Sequence, residues 1–258
     1  METALIQMID IKKSFNGNPV LNGVNLSIFQ GQITTIIGKS GTGKSVLLRH
    51  IIGLLHQDAG ELLLNGVSSG RMNHSSRHAF QKHMAYMFQD NALFDFLTVF
   101  ENVALPLSEK RIKPLVIKER VGQQLFLLGL EGIDHQYPSQ LSGGMRKRVA
   151  MARALITNPK IVLFDEPTTG LDPIRKNSVH SMIAHYQAQF GFTAIIVSHD
   201  IPDIFDISQH VAMLDKGKII IQGKSDEVRH SQNPLVQSFI RGEDISSGET
   251  THRIRKHQ

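Results

Sequence analysis

Gly38-Lys39-Ser40-Gly41-Thr42-Gly43-Lys44-Ser45 is the stretch that decides how the rest of the chain is read. It satisfies the pattern G-x-x-x-x-G-K-[ST]. Before it, Gln32-Ile33-Thr34-Thr35-Ile36-Ile37 predicts a buried strand, and after it Lys44 to Leu55 predicts a helix. Glycines let a backbone wrap closely around phosphate oxygens, while successive N–H groups and a helix N-terminus supply positive potential. Lys44 is placed to reach the β- and γ-phosphates and the Ser45 hydroxyl to ligate Mg²⁺. A plain glycine-rich turn before a helix shares the pattern; the strand–loop–helix context favours nucleotide.

Outward from that loop, Met84–Phe88, Ile161–Phe164 and Ala194–Val197 are short apolar runs bounded by turn or charged residues, and predict interior strands. Helices are expected at Ile174–Phe190 and Ile201–Ile207. Strands separated by helices imply crossover connections and a largely parallel sheet, an α/β fold. Residues 91–156 offer helix candidates around Val99–Leu107, Leu115–Leu128 and Gly143–Ile156 but no strand, and are expected to form an inserted helical lobe. The core is assigned to residues 1–90 and 157–240; residues 241–258 are polar and expected to be a tail.

Composition narrows the function. The 258 residues include 41% apolar types and no cysteine, which excludes a disulfide scaffold, a Cys-ligated zinc and a thiol nucleophile. No run approaches the ~18 apolar residues of a membrane-spanning helix, and Met1-Glu2-Thr3 does not open a secretory signal. The protein is expected to be soluble, or held at a membrane through a partner. Net charge is +5. The densest basic stretch, Lys110 to Arg120, is diluted by Glu109 and Glu119 and has no interleaved aromatics, so no nucleic-acid partner is expected.

Further residues carry chemistry. Asp165 and Glu166 end the strand at Ile161–Phe164; Asp165 suits a second Mg²⁺ contact and Glu166 a general base, while capping of the next helix is the simpler alternative. His199, in Ser198-His199-Asp200 at another strand end, suits either a γ-phosphate contact or a structural hydrogen bond. Ser142, Gly143 and Gly144 precede a helix carrying Arg146, Lys147, Arg148 and Arg153. They read as a helix cap or as a second anion cradle, one that would close over a nucleotide held by another copy of the chain.

These motifs, in this order, resemble the ATPase subunits of ABC transporters over about residues 5 to 240: the P-loop, Gln89, Leu141–Gly144, Phe164–Pro167, Gly170-Leu171-Asp172 and Ser198–Asp200. The resemblance implies a P-loop NTPase (RecA-like) core with an N-terminal antiparallel β subdomain, and a head-to-tail homodimer binding ATP and Mg²⁺ between P-loop and opposite signature loop. It implies that Phe15 stacks on adenine, that Gln89 senses Mg²⁺ and water, and that Asp172 bridges the seam. Narrower markers resemble the Mla-type, MCE-associated branch: Phe88–Phe94, Thr98–Ala104, Met145, Ile201-Pro202 and Pro234–Phe239. That branch implies phospholipid transport that maintains outer-membrane lipid asymmetry. It also implies attachment through a permease to the cytoplasmic face of the inner membrane, a STAS-domain protein on the lobe, an MCE-domain lipid-binding subunit, and a tail (Arg253, Ile254, Arg255) reaching across the dimer. Phe94 and Phe96 either line the groove for the permease's coupling helix or are buried in the lobe. Phe15 stands where Tyr is commoner and Met145 where Gln is commoner, which removes a hydroxyl and an amide. An ATPase of another ABC importer, or of a cell-division-type complex, shares every catalytic residue.

Overall fold

The computed structural model describes residues 4–88 and 92–243. Strands β1 (Ala4–Phe15) and β2 (Asn18–Phe29) form a hairpin closed by Asn16-Gly17, both at positive φ (50° and 80°). That two-residue turn matches the twist of antiparallel strands and favours Asn-Gly. Strand β3 (Ile33–Ile37) leads into α1 (Lys44–Ile51). Next come β4 (Ala59–Leu64), β5 (Val67–Ser68), α2 (His74–Gln81) and β6 (Met84–Met87). The lobe holds α3 (Val99–Glu109), α4 (Pro114–Leu127), a 3-10 turn at Pro138–Gln140 and α5 (Gly143–Leu155). The core resumes with β7 (Ile161–Asp165), α6 (Pro173–Phe190), β8 (Thr193–Ser198), α7 (Ile204–Ile207), β9 (His210–Asp215), β10 (Lys218–Lys224), α8 (Ser225–Arg229) and α9 (Pro234–Arg241).

Two sheets result. One is antiparallel, in the order β2-β1-β4-β5; the other runs β10-β9-β3-β8-β7-β6, parallel except for β10. β3 is buried at every position, as a strand covered on both faces must be. Its alternation divides the core: Ile33 and Ile37 pack with Phe164 and the lobe helices, while Ile36 packs with Leu47, Leu163 and the antiparallel sheet. Parallel pairing aligns Ile37 with Ser198 and Asp165 with Val197. The loops that leave β3, β7 and β8 therefore emerge together at the carboxyl edge, where ligands of open α/β sheets bind.

Two helices are shorter than the sequence predicts. Expected to Leu55, α1 ends at Ile51 because Gly53 (φ 80°) turns the chain back so that the Gly53 and Leu54 N–H groups reach the His50 and Arg49 carbonyls. Expected from Ile201, α7 starts at Ile204, since three-residue turns from Pro202 and Asp203 occupy the approach.

One buried side chain fixes the loop between core and lobe. Asn102, fully buried on α3, accepts from the Phe94 N–H at 2.9 Å and donates to the Phe94, Leu97 and Thr98 carbonyls, each at 3.0 Å. Thr98 and Glu101 cap the same helix reciprocally. Removing the amide leaves part-buried backbone groups without their partner, at up to about 1–3 kcal/mol each where water cannot replace it. Asn102→Ala is expected to lower stability by about 3 kcal/mol in urea melts at unchanged m-value, and to speed amide exchange over residues 94–98.

Candidate functional site

The carboxyl edge of the parallel sheet opens into a cleft of about 390 Å³ whose lining includes Gly43, Lys44, Ser45, Glu166 and His199. Gly38 lets the loop enter it: a Cβ there would lie 2.4 Å from the Leu214 carbonyl oxygen. Thr42 Oγ1 donates to the Lys39 carbonyl at 2.9 Å and tightens the turn. α1 then starts at Gly43 with no side-chain cap and no acid in its first turn. An uncapped helix N-terminus with a lysine at its first position is electrostatically unfavourable unless an anion is to be received. These donors fit phosphate.

Lys44 is buried, and its ammonium donates to the carbonyls of Gly38 (2.8 Å) and Lys39 (3.0 Å) and pairs with Glu166 Oε1 at 3.2 Å. Glu166 Oε2 meets His199 Nδ1 at 2.6 Å. Both carboxylate oxygens of Glu166 are thus engaged, and its backbone sits at φ 49°, a left-handed conformation costing about 1–2 kcal/mol in a residue with a Cβ. That strain turns Glu166 away from the line of β7 and into the cleft beside Lys44.

Asp165 faces differently. Ser45 Oγ donates to its Oδ1 at 2.8 Å and the Tyr86 phenol to its Oδ2 at 2.6 Å. A hydroxyl and a carboxylate in contact fit Mg²⁺, which takes hard oxygen donors and completes its shell with water and substrate phosphate. Among the described residues no cluster of three or more His, Cys, Asp or Glu could hold a metal.

Behind the cleft, Asp200 bonds Thr168 Oγ1 and the Lys176 ammonium. Burial works against its charge, but the bonds from Lys176 and Thr168 outweigh it and hold the carboxyl below its ordinary pKa. Lys147, buried on α5, donates to the Pro167 carbonyl, so the signature helix is tied to the loop carrying Glu166.

The remaining expected residues lie outside this cluster. Ser142 caps α5, accepting from the Met145 N–H at 3.3 Å; Asp172 caps α6, accepting from the Arg175 N–H at 3.0 Å. A Cβ on Gly143 or Gly144 would meet nothing within 4 Å, so no atom described in this chain requires glycine there. Phe15 is exposed at the end of β1, with Lys13 Nζ 5.6 Å from its ring centre. Of the two phenylalanines left open between groove and burial, Phe94 lines a groove of about 590 Å³ between core and lobe, and Phe96 is 75% exposed, its ring 5.6 Å from that of Phe94. Gln89 and the tail residues Arg253, Ile254 and Arg255 lie outside the described residues. The sequence reading missed Tyr86, Val20 and Arg49. Tyr86 alternates with Met87 on a half-buried edge strand, and that periodicity was its only signal.

The fold and the cleft define an ATPase of the ABC transporter family. The family model described as ABC transporter matches residues 21–169, and the chain belongs to that family. It is 36% identical over 239 residues to the intermembrane phospholipid transport system ATP-binding protein MlaF of Escherichia coli K12, covering 92% of this chain and 89% of that protein. It is 35% identical over 244 residues to MlaF of Haemophilus influenzae, covering 94% and 92%. It is 34% identical over 241 residues to the probable ribonucleotide transport ATP-binding protein mkl of Mycobacterium tuberculosis H37Rv, covering 93% and 67%. Among solved structures, cbiO1 of Clostridium perfringens, part of an ABC transporter complex, matches with TM-score 0.81 at 28% identity over 93% of this chain and 96% of that one. A dimeric ATP-binding cassette bound to ADP and Pi matches with TM-score 0.73 at 29% identity over 85% and 98%. The chain is an ATP-driven transporter subunit.

Lys44 supplies the buried cation of the cleft, and charge-assisted hydrogen bonds contribute about 1.5–3 kcal/mol. Lys44→Ala is expected to weaken ATP binding about 10- to 100-fold in a calorimetric titration, while the melting temperature without nucleotide changes little.

Proposed function

We propose that this ATPase drives phospholipid transport through a membrane permease, acting as a homodimer with one nucleotide at each shared site. What carries the hydrolytic reading is Glu166, held between Lys44 and His199 beside an uncapped helix N-terminus. In this reading the P-loop, Gly38 to Ser45, cradles the phosphates and Ser45 and Asp165 hold Mg²⁺, with Gln89 as a further contact; bound there, the cation neutralises charge on the β- and γ-phosphates. Lys44, drawn to a phosphate, leaves Oε1 of Glu166 free to accept a proton from water. That water attacks the γ-phosphorus, the bond to the bridging oxygen breaks, and ADP departs with the electron pair. His199 keeps Glu166 and the water aligned. Phe15 stacks on the base.

The dimer reading is supported by Gly143 and Gly144, whose missing side chains leave room that nothing among the described residues fills. A close backbone approach by a second copy's nucleotide explains both glycines, with Ser142 beside them and Asp172 at the seam. The division into a core (1–90, 157–240), a signature lobe (91–156) and a tail (241–258) follows the same reading. The groove lined by Phe94 is assigned to the permease. No helix among the described residues is long and apolar enough to cross a membrane, so attachment to the cytoplasmic face of the inner membrane runs through that partner. A STAS-domain subunit on the lobe and an MCE-domain lipid-binding subunit complete the system.

Phospholipid as cargo rests on the identity to the two MlaF proteins over nearly the whole chain. The probable ribonucleotide transporter mkl supports a second reading, in which the cargo is a nucleotide. Purifying the complex in mild detergent and identifying the co-purifying permease and extracted ligands decides between them: phospholipid is expected, and a nucleotide held by the permease would transfer the assignment. For the chemistry, Glu166→Gln is expected to keep ATP affinity within about threefold, to lower kcat by about 10²–10⁴, and to accumulate an ATP-bound dimer on gel filtration. Turnover near that of the unaltered protein removes Glu166 from the base role.

A further inference from the structure

Tyr86 is a residue that the reaction as described does not use. It sits on β6, pairs in register with Leu163 of β7, and extends across to Asp165, two residues further along that strand. Its phenol donates to Asp165 Oδ2 at 2.6 Å, while Ser45 takes Oδ1 at 2.8 Å. Held at both oxygens, the carboxylate has one orientation. Arg49, which lines the nucleotide cleft, acts electrostatically on the phenol. On the other side the Tyr86 ring packs on Phe88, ring centres 4.6 Å apart, and both line the groove between core and lobe with Phe94. One half-buried side chain therefore touches the Asp165 carboxylate and forms part of the wall of a groove about 590 Å³ in volume.

We infer that Tyr86 is a positioning residue for the metal contact: it fixes the Asp165 carboxylate for a divalent cation. The inference rests on the reading of Asp165 as a metal contact. A carboxylate held by one hydroxyl rotates about its last torsion; held by two, it is preorganised, and preorganisation appears as affinity. An occupant of the groove would touch the same ring.

The test measures metal directly. Mn²⁺ replaces Mg²⁺ and is titrated into the protein–ATP complex, with free Mn²⁺ read by electron paramagnetic resonance, and ATP affinity is measured separately in EDTA. Tyr86→Phe keeps the ring and is expected to weaken Mn²⁺ binding about five- to tenfold while leaving metal-free ATP affinity unchanged. In an Asp165→Ala background, itself weakened, Tyr86→Phe is expected to add nothing. The chain has three tyrosines and no tryptophan, so Mn²⁺ loading should also perturb the tyrosine absorption band, and that perturbation should vanish in Tyr86→Phe. Unchanged Mn²⁺ affinity in Tyr86→Phe, beside a weakened Asp165→Ala, overturns the inference. Unchanged affinity in Asp165→Ala overturns the underlying reading of the site. A parallel loss of metal-free ATP affinity in Tyr86→Phe reduces Tyr86 to packing and overturns the inference too.

Discussion

The ammonium of Lys44 is the constraint around which the site is organised. It is 4% exposed, and taking such a charge out of water costs several kcal/mol unless good hydrogen bonds and a counter-charge replace the solvent. The fold supplies them from two sides, through the Gly38 and Lys39 carbonyls and through Glu166. Those partners come from β3 and β7, which do not touch; β8 lies between them in the sheet. The six-stranded sheet must therefore be complete before the charge can be buried without a large penalty. Its fully buried strands supply that frame, since each buried Ile, Val or Leu contributes about 1.5–3 kcal/mol.

The same constraint explains the strain at Glu166. Asp165 ends β7 in strand geometry and points to Ser45 and Tyr86, while Glu166 reaches Lys44 and His199. Adjacent residues of a strand point to opposite faces, so two carboxylates can serve different partners within one cleft only if the backbone turns between them. The left-handed φ of Glu166 is that turn. Its cost is smaller than that of leaving Lys44 without a counter-charge.

Legibility in the sequence follows the range of the interaction. The P-loop, Asp165 with Glu166, and His199 are local patterns, each a strand end with its own chemistry, and all converge on one cleft. The Asn16-Gly17 hairpin was as plain a signal and went unread, because β1, though twelve residues long, alternates imperfectly: its register shifts between Met8 and Ile11 and again beside Lys12. Tyr86 was illegible for another reason. Its partner lies on the neighbouring strand, and nothing in Met84–Met87 says which carboxylate a half-buried phenol will meet. Lys147 behaved likewise: among the basic residues of α5 it resembles a solvated face, yet the fold buries it against the Pro167 carbonyl.

That last contact bears on how two half-sites can act together. The N-terminus of α5 presents Ser142, Gly143 and Gly144 outward, with open space where side chains would stand. One turn in, Lys147 grips the carbonyl of Pro167, the residue after Glu166. In the proposed dimer, an anion at the N-terminus of α5 would therefore lie one turn from a buried charge that is hydrogen-bonded to the Glu166 loop, an interaction of about 1.5–3 kcal/mol. Asp172 caps α6 at the start of a helix whose Lys176 holds Asp200, next to His199. Both outward-facing caps thus connect, within one or two turns of helix, to the two groups that clasp each other in the cleft. In the proposed dimer, a second copy meeting these caps would touch elements that lie within one or two turns of the partners of Glu166 and His199.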